Sequence, residues 1–257
     1  MNIFKQFYKS LYSPKDMVNF RNQKMGKTIG YLFFLSLIAT LPIFIITATI
    51  ISNGIDRVEN TLMNDLPEFE IQDGTLVSNS NEPIHVQKDD FSIIFDSTGT
   101  ITVNDALNEA NTLSILKNDV AINLEGQTDS FTYSFLELDS LTKDQLADIV
   151  QSVDSFIPVI NIVIFILFYL FQAASSFIKV TILALIGLII KNSLKETLTY
   201  GQSWKLSAYA ITLPTLFFTI MEALQVTVPL GGMINWAVMV IMLFLVIKEI
   251  PKQSDLS

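Results

Sequence analysis

The chain has no cysteine among its 257 residues and a single histidine, His85. The first absence excludes disulfides, thiol nucleophiles and thiolate metal sites, and the second argues against a histidine-based metal centre. His85 lies in "EPIHVQKDD", whose alternation reads as a strand carrying a solvated histidine. No Gly-rich phosphate loop and no nucleophile-base constellation accompanies it, so the sequence nominates no catalytic, cofactor-binding or metal-ligating residue and is not expected to be an enzyme.

Charge is missing from one long stretch. Ile29 to Ile51 is a 23-residue apolar run, long enough at about 1.5 Å per residue to span a hydrocarbon core of roughly 30 Å. It is too long, and starts too late, for the apolar core of a cleaved signal peptide.

What is present is divided sharply. Half the residues are hydrophobic, yet the formal charge is -9 and the mean hydropathy +0.46. Residues 1–28 carry six basic residues against the single acid Asp16, whereas 52–154 carry twenty acids against four bases. This acidity opposes binding to nucleic acid or anionic lipid. Apolar runs return at Ser155 to Ile190, interrupted only by Lys179, and then at Leu206 to Met221 and Met233 to Ile247.

These boundaries predict a polytopic α-helical membrane protein with an inserted β-rich domain. Its parts are a basic amphipathic segment (1–28), a first transmembrane helix (29–51), the acidic domain (52–154), a long second helix (155–190), a basic loop (191–205), two further helices (206–226 and 231–247) and a tail (248–257). Short Lys/Arg-rich segments stay in the cytoplasm. Both termini are therefore expected inside the bacterial plasma membrane and 52–154 outside it. That topology needs an odd number of crossings between Asp154 and Lys191. One crossing, hence four helices, is preferred. A hairpin turning near Lys179 gives a five-helix alternative. In the single crossing Lys179 lies toward the cytoplasmic end and Glu222 near the outer face; in the hairpin the two come close enough to pair.

Local patterns fill in the parts. "IFKQFYKSLYS" places Ile3, Phe4, Phe7, Tyr8 and Leu11 on one helical face, suited either to the membrane interface or to packing on the rest of the chain. Ser13-Pro14 reads as the cap and first residue of a second short helix. "FEIQDGTLVS" reads as a hairpin turning at Asp73-Gly74, and "FSIIFDSTGTITV" as another turning at Ser-Thr-Gly. "VAINLEG" and "SFTYSFLELD" supply further strands.

"FDSTGTIT" around Asp96, followed by "VNDAL", resembles the phosphorylation and hinge motifs of P-type ATPases. The lysine of that pattern is replaced by Ser97 and the two motifs nearly touch, so an ordinary turn is the expected role.

Charged and polar residues inside the apolar runs are the candidate intramembrane functional residues: Lys179, Glu222, Tyr209, Pro214, Asn161 and Asn235, with Gln172 beside them. Pro214 removes a backbone donor and frees the carbonyl of Ala210. Thr212 and Thr215 are expected to compensate, giving a hinge or a polar pocket shared with Tyr209, Asn161, Gln172 and Asn235. The competing reading is ordinary helix packing through small and hydroxylated residues.

"LYSPKDMVNFRNQKMGKTIGYLFFLSLIATLP", together with "ILALIGLIIKNSLKETLTYGQSWKLSAYAITLPTL", resembles an uncharacterised membrane family of Gram-positive bacteria, the domain of unknown function DUF 1189. Its members are sometimes labelled maltodextrin-utilisation (YvdJ or MalA-like) proteins. More distantly the chain is similar to bacterial Yip-type membrane proteins, through the Ser-Pro start and the Tyr209-Ala210 pair before Pro214. The inserted acidic domain and the absence of a fifth helix depart from the Yip-type pattern. The resemblance implies no catalytic residues and no cofactor. Together with the residues it suggests a non-enzymatic membrane adaptor or accessory protein whose partners are the lipid bilayer, another membrane or envelope protein, or a second copy of itself. A transport accessory subunit or small permease is the alternative, and a membrane enzyme a more remote one.

Overall fold

The computed structural model describes residues 1–88, 91–124, 126–135 and 140–251. Four helices are long and apolar enough to cross a membrane: Met25–Asn64, Lys143–Leu194, Tyr200–Ala223 and Gly231–Lys248. The chain divides into two compact units. One comprises Met1–Ala48 and Asn161–Ser257, the other Thr49–Ile160.

The first unit begins with α1 (Ile3–Tyr12) and α2 (Pro14–Met17), with Pro14 at the first helical position as expected. A 3-10 turn, Val18–Asn22, ends that segment. Then comes α3 (Met25–Asn64). The amphipathic face of α1 is rotated from expectation. Ile3 and Phe7 pack on the core, but Gln6 and Ser10 are the buried residues, while Phe4 and Tyr8 stay exposed. Ser10 donates to the Gln6 carbonyl at 2.8 Å, which lets a hydroxyl occupy a buried position without an unmet donor.

Within this unit the α3 part and the α5 part (α5 is Lys143–Leu194) lie side by side. The Ser36 hydroxyl donates to that of Ser176 at 3.2 Å, and Phe44 meets Phe165 edge-on at 5.0 Å. α5 is one helix through Lys179 with no turn there. Its 52 residues correspond to about 78 Å, far more than 155–190 requires. The expected loop 191–205 shrinks to a few residues, because α6 (Tyr200–Ala210) starts early under a capping box between Thr199 and Gln202. α7 (Thr212–Ala223) follows after a break at Ile211, and α8 (Gly231–Lys248) closes the bundle. Gly187 of α5 marks a close helix approach. A Cβ there would stand 2.2 Å from Ser203 Oγ and 3.1 Å from Leu243, and Ser203 uses the space to donate to the Ala184 carbonyl at 2.8 Å.

The second unit holds the remaining residues of α3 and α5 and two small sheets. β1 (Phe69–Gln72) pairs antiparallel with β2 (Thr75–Ser78) and with β8 (Ser140–Thr142). The β1-β2 turn is Asp73-Gly74 with φ of 49° and 71°, the two positive values a tight hairpin demands. The larger sheet runs β3 (Ile84–Lys88), β4 (Phe91–Phe95), β5 (Thr112–Ile115), β6 (Asp119–Leu124), β7 (Gln127–Thr132).

Three expectations need correction here. "FSIIFDSTGTITV" is not a hairpin: β4 and β5 are parallel, joined through α4 (Val103–Leu107). The reason is a capping box in which Thr102 and Asp105 bond each other's backbone, so Ile101-Thr102-Val103 starts a helix instead of a strand. "SFTYSFLELD" is a strand only to Thr132, and its 136–139 stretch lies outside the described residues. The acidic segment is also less β-rich than 52–154 suggests. Leu62 in the last turn of α3, Leu66 just beyond it, and Leu146, Ala147 and Val150 at the start of α5 pack in one core with Phe69, Ile71, Phe95 and Tyr133. Burial of these apolar positions holds both ends helical well beyond the uncharged runs. His85 is exposed on β3.

Candidate functional site

Helical spacing places the intramembrane polar residues. On α5, Gln172 and Lys179 are seven residues apart, two turns along one face. On α7, Thr215, Thr219 and Glu222 share a face for the same reason. Together with Thr40 of α3 and Asn235 of α8 they line a cavity of about 410 Å³, whose remaining wall includes Phe168, Phe171 and Phe218. The Thr40 and Thr219 hydroxyls donate to the carbonyls of Ser36 and Thr215, each at 2.8 Å. They therefore offer only lone pairs to the cavity.

Lys179 and Glu222 line this one cavity although α5 is a single uninterrupted helix, so the expectation that an unbroken helix keeps them apart does not hold. Lys179 lies twelve residues before Lys191, or about 18 Å along the helix. Among the described residues neither Lys179 nor Glu222 makes an ion pair or hydrogen bond. The Asn235 Oδ1 is buried and likewise unpartnered.

The other candidates sit elsewhere. Tyr209 is fully buried, its ring 4.6 Å from that of Phe20 and 4.3 Å from that of Tyr31. Its hydroxyl accepts from Gln23 Nε2 and donates to Gln6 Oε1 at 3.3 Å, while Gln6 donates to Gln23 at 2.7 Å. Tyr209 thus fastens the N-terminal segment to α6, and it shares no pocket with Asn235. Pro214 is buried in the first turn of α7, just after the break at Ile211. Thr212 does not serve the freed Ala210 carbonyl as expected; its hydroxyl pairs with Tyr31 at 2.6 Å. Asn161 lies apart from the cavity lining, with its Oδ1 buried and unpartnered. Thr40, Thr219 and the glutamines of the Tyr209 network escaped sequence reasoning. The spacing of Thr215, Thr219 and Glu222 was the available signal for one of them.

Asp96 has a different role. It is completely buried. One carboxylate oxygen accepts from the Thr98 N–H (2.9 Å), the Thr98 hydroxyl (2.6 Å) and the Gly99 N–H (3.2 Å), and the other from the Ile101 N–H (2.7 Å). Burial disfavours its charged form, but the Thr98 hydroxyl and these backbone donors outweigh it and hold the carboxyl below its ordinary range. The motif is a loop folded around a carboxylate whose acceptor sites are taken up by its own backbone. Asp105 is likewise lowered, by the Thr102 hydroxyl and N–H. Among the described residues no cluster of three or more metal-ligating side chains occurs.

Four apolar helices of spanning length and a unit containing two small sheets are compatible with a multi-pass helical membrane protein. The chain belongs to the DUF1189 family, proteins of unknown function, whose family model matches residues 4–247. No curated protein and no solved structure matches it.

Proposed function

We propose that the chain is a non-enzymatic accessory protein of the bacterial plasma membrane, with both termini cytoplasmic and the β-containing unit outside, where it contacts a membrane or envelope partner. The observation that carries this reading is the outermost strand of the larger sheet. β7 is exposed at all six positions, and Phe131 and Phe135 stack at 6.0 Å beside it while remaining exposed. An open edge with an aromatic pair is suited to strand addition by a partner. The orientation rests on the basic residues of the first 28 positions and on Lys191, Lys195 and Lys205 in and around the α5-α6 connection.

Photocrosslinking in cells with a probe at Phe131 tests the role. One recurrent membrane-protein adduct, lost in Phe135→Ala with the domain still folded, supports it; self-crosslinks alone overturn it. Orientation is tested separately with a cysteine introduced at Ser193, an exposed position in a chain without cysteine. Labelling by an impermeant thiol reagent in intact cells would reverse the topology.

The cavity supports a second reading, a transport accessory subunit or small permease. Solute flux in vesicles containing only this chain separates it from the first.

A further inference from the structure

Lys179 and Glu222 pose a chemical question that the accessory role does not answer. Both line one cavity, yet no ion pair joins them. Lys179 is half-buried and Glu222 exposed in the last turn of α7, and an ionisable group inside an apolar helix is costly unless a partner compensates it. The cavity carries one ammonium and one carboxylate, so their charges cancel. Around them stand the Gln172 amide and the unpartnered Asn235 Oδ1.

A simple anion would meet Lys179 but be repelled by Glu222, and a simple cation would meet the reverse. A neutral solute such as a sugar would leave both charges uncompensated. We infer that the cavity binds a zwitterion, its anionic group on Lys179 and Gln172 and its ammonium on Glu222 and Asn235 Oδ1. The volume of about 410 Å³ falls in the range of small-molecule sites, roughly 300–1,000 Å³. Phe171 lines the cavity while remaining 76% exposed, which leaves an apolar flank along which an acyl chain fits. Two sources share this chemistry: the headgroup of an aminophospholipid and a free solute bearing separated amino and acid groups. The inference rests on the cavity alone and holds whether or not β7 has a partner.

The test uses the full chain purified in detergent. Thermal stabilisation and retention in native mass spectrometry are read for three probes: a short-chain phosphatidylethanolamine, a short-chain phosphatidylglycerol and 6-aminohexanoate. At least one of the two zwitterions is expected to bind at least tenfold more tightly than the anionic lipid. Phosphatidylethanolamine alone identifies the lipid source, and 6-aminohexanoate alone the solute. Glu222→Gln should shift preference toward phosphatidylglycerol, whereas Lys179→Gln should weaken both lipids, phosphatidylglycerol the more, and so shift preference toward phosphatidylethanolamine. These opposite selectivity changes are readouts that simple misfolding cannot produce. Failure of both zwitterions to bind overturns the proposal. So does equal binding of all three probes, or the same selectivity change in the two variants.

Discussion

Asp96 and Lys179 are both charged residues set within folded structure, one in each unit, and they are treated in opposite ways. Asp96 receives four hydrogen bonds from its own loop. In the same unit Lys143 donates to the Leu66 carbonyl at 2.8 Å and lies 3.5 Å from Glu68. Lys179, like Glu222, has no partner among the described residues. The first pair of charges is consumed in building the fold; the second is left available to something else. Sequence position inside an apolar run does not distinguish the two fates. Local donors do.

The largest expected effect comes from removing a consumed charge. Asp96→Ala orphans backbone N–H groups in a buried loop and should destabilise the β-containing unit by about 3 kcal/mol, read as lost hydrogen-exchange protection of β4 and β5 with the bundle unchanged. Next is Gly187→Leu. The added side chain would collide with Ser203 and Leu243 and should cost the bundle about 2 kcal/mol, seen as a lower midpoint for the Trp204 and Trp236 fluorescence transition. Tyr209→Phe removes the hydroxyl that ties Gln6 and Gln23 to α6, for about 1 kcal/mol, and should raise exchange or proteolysis within residues 1–23 more than elsewhere.

The contrast is sharpest for Lys179→Met. Because no partner is orphaned, bundle stability should stay within about 0.5 kcal/mol or rise; a loss as large as that of Asp96→Ala would abolish the distinction drawn here. The smallest effect is pH dependence. The Asp96 carboxyl sits below its ordinary value of 3.8 in the folded state, so its stabilisation is fully present above that value and is lost as pH falls through the folded pKa. The β-containing unit should therefore weaken below about pH 4, and Asp96→Asn should flatten that part of the profile.

The apolar spans, the Asp73-Gly74 hairpin and Pro14 at the first helical position were legible because each is a local property of composition or turn chemistry. The extension of α3 to Asn64 and of α5 back to Lys143 was not, since polar residues there conceal a stripe of Leu62, Leu66, Leu146 and Val150 that only the sheet completes. The alternation of Ile101-Thr102-Val103 imitated a strand, and the Thr102-Asp105 spacing was the counter-signal. Lys179, Glu222 and Asn235 were recognisable one by one. Their convergence with Gln172 depends on which faces of α3, α5, α7 and α8 meet, and that information is spread over about two hundred residues.

The break at Ile211 divides the third apolar segment into two rods with different anchoring. α6 is pinned through Tyr209 and Ser203, whereas α7 contributes Thr215, Thr219 and Glu222 to the cavity wall. One apolar segment therefore divides its labour along its length: the α6 half fastens the N-terminal residues, and the α7 half, itself tied to Tyr31 through Thr212, presents polar side chains to the cavity.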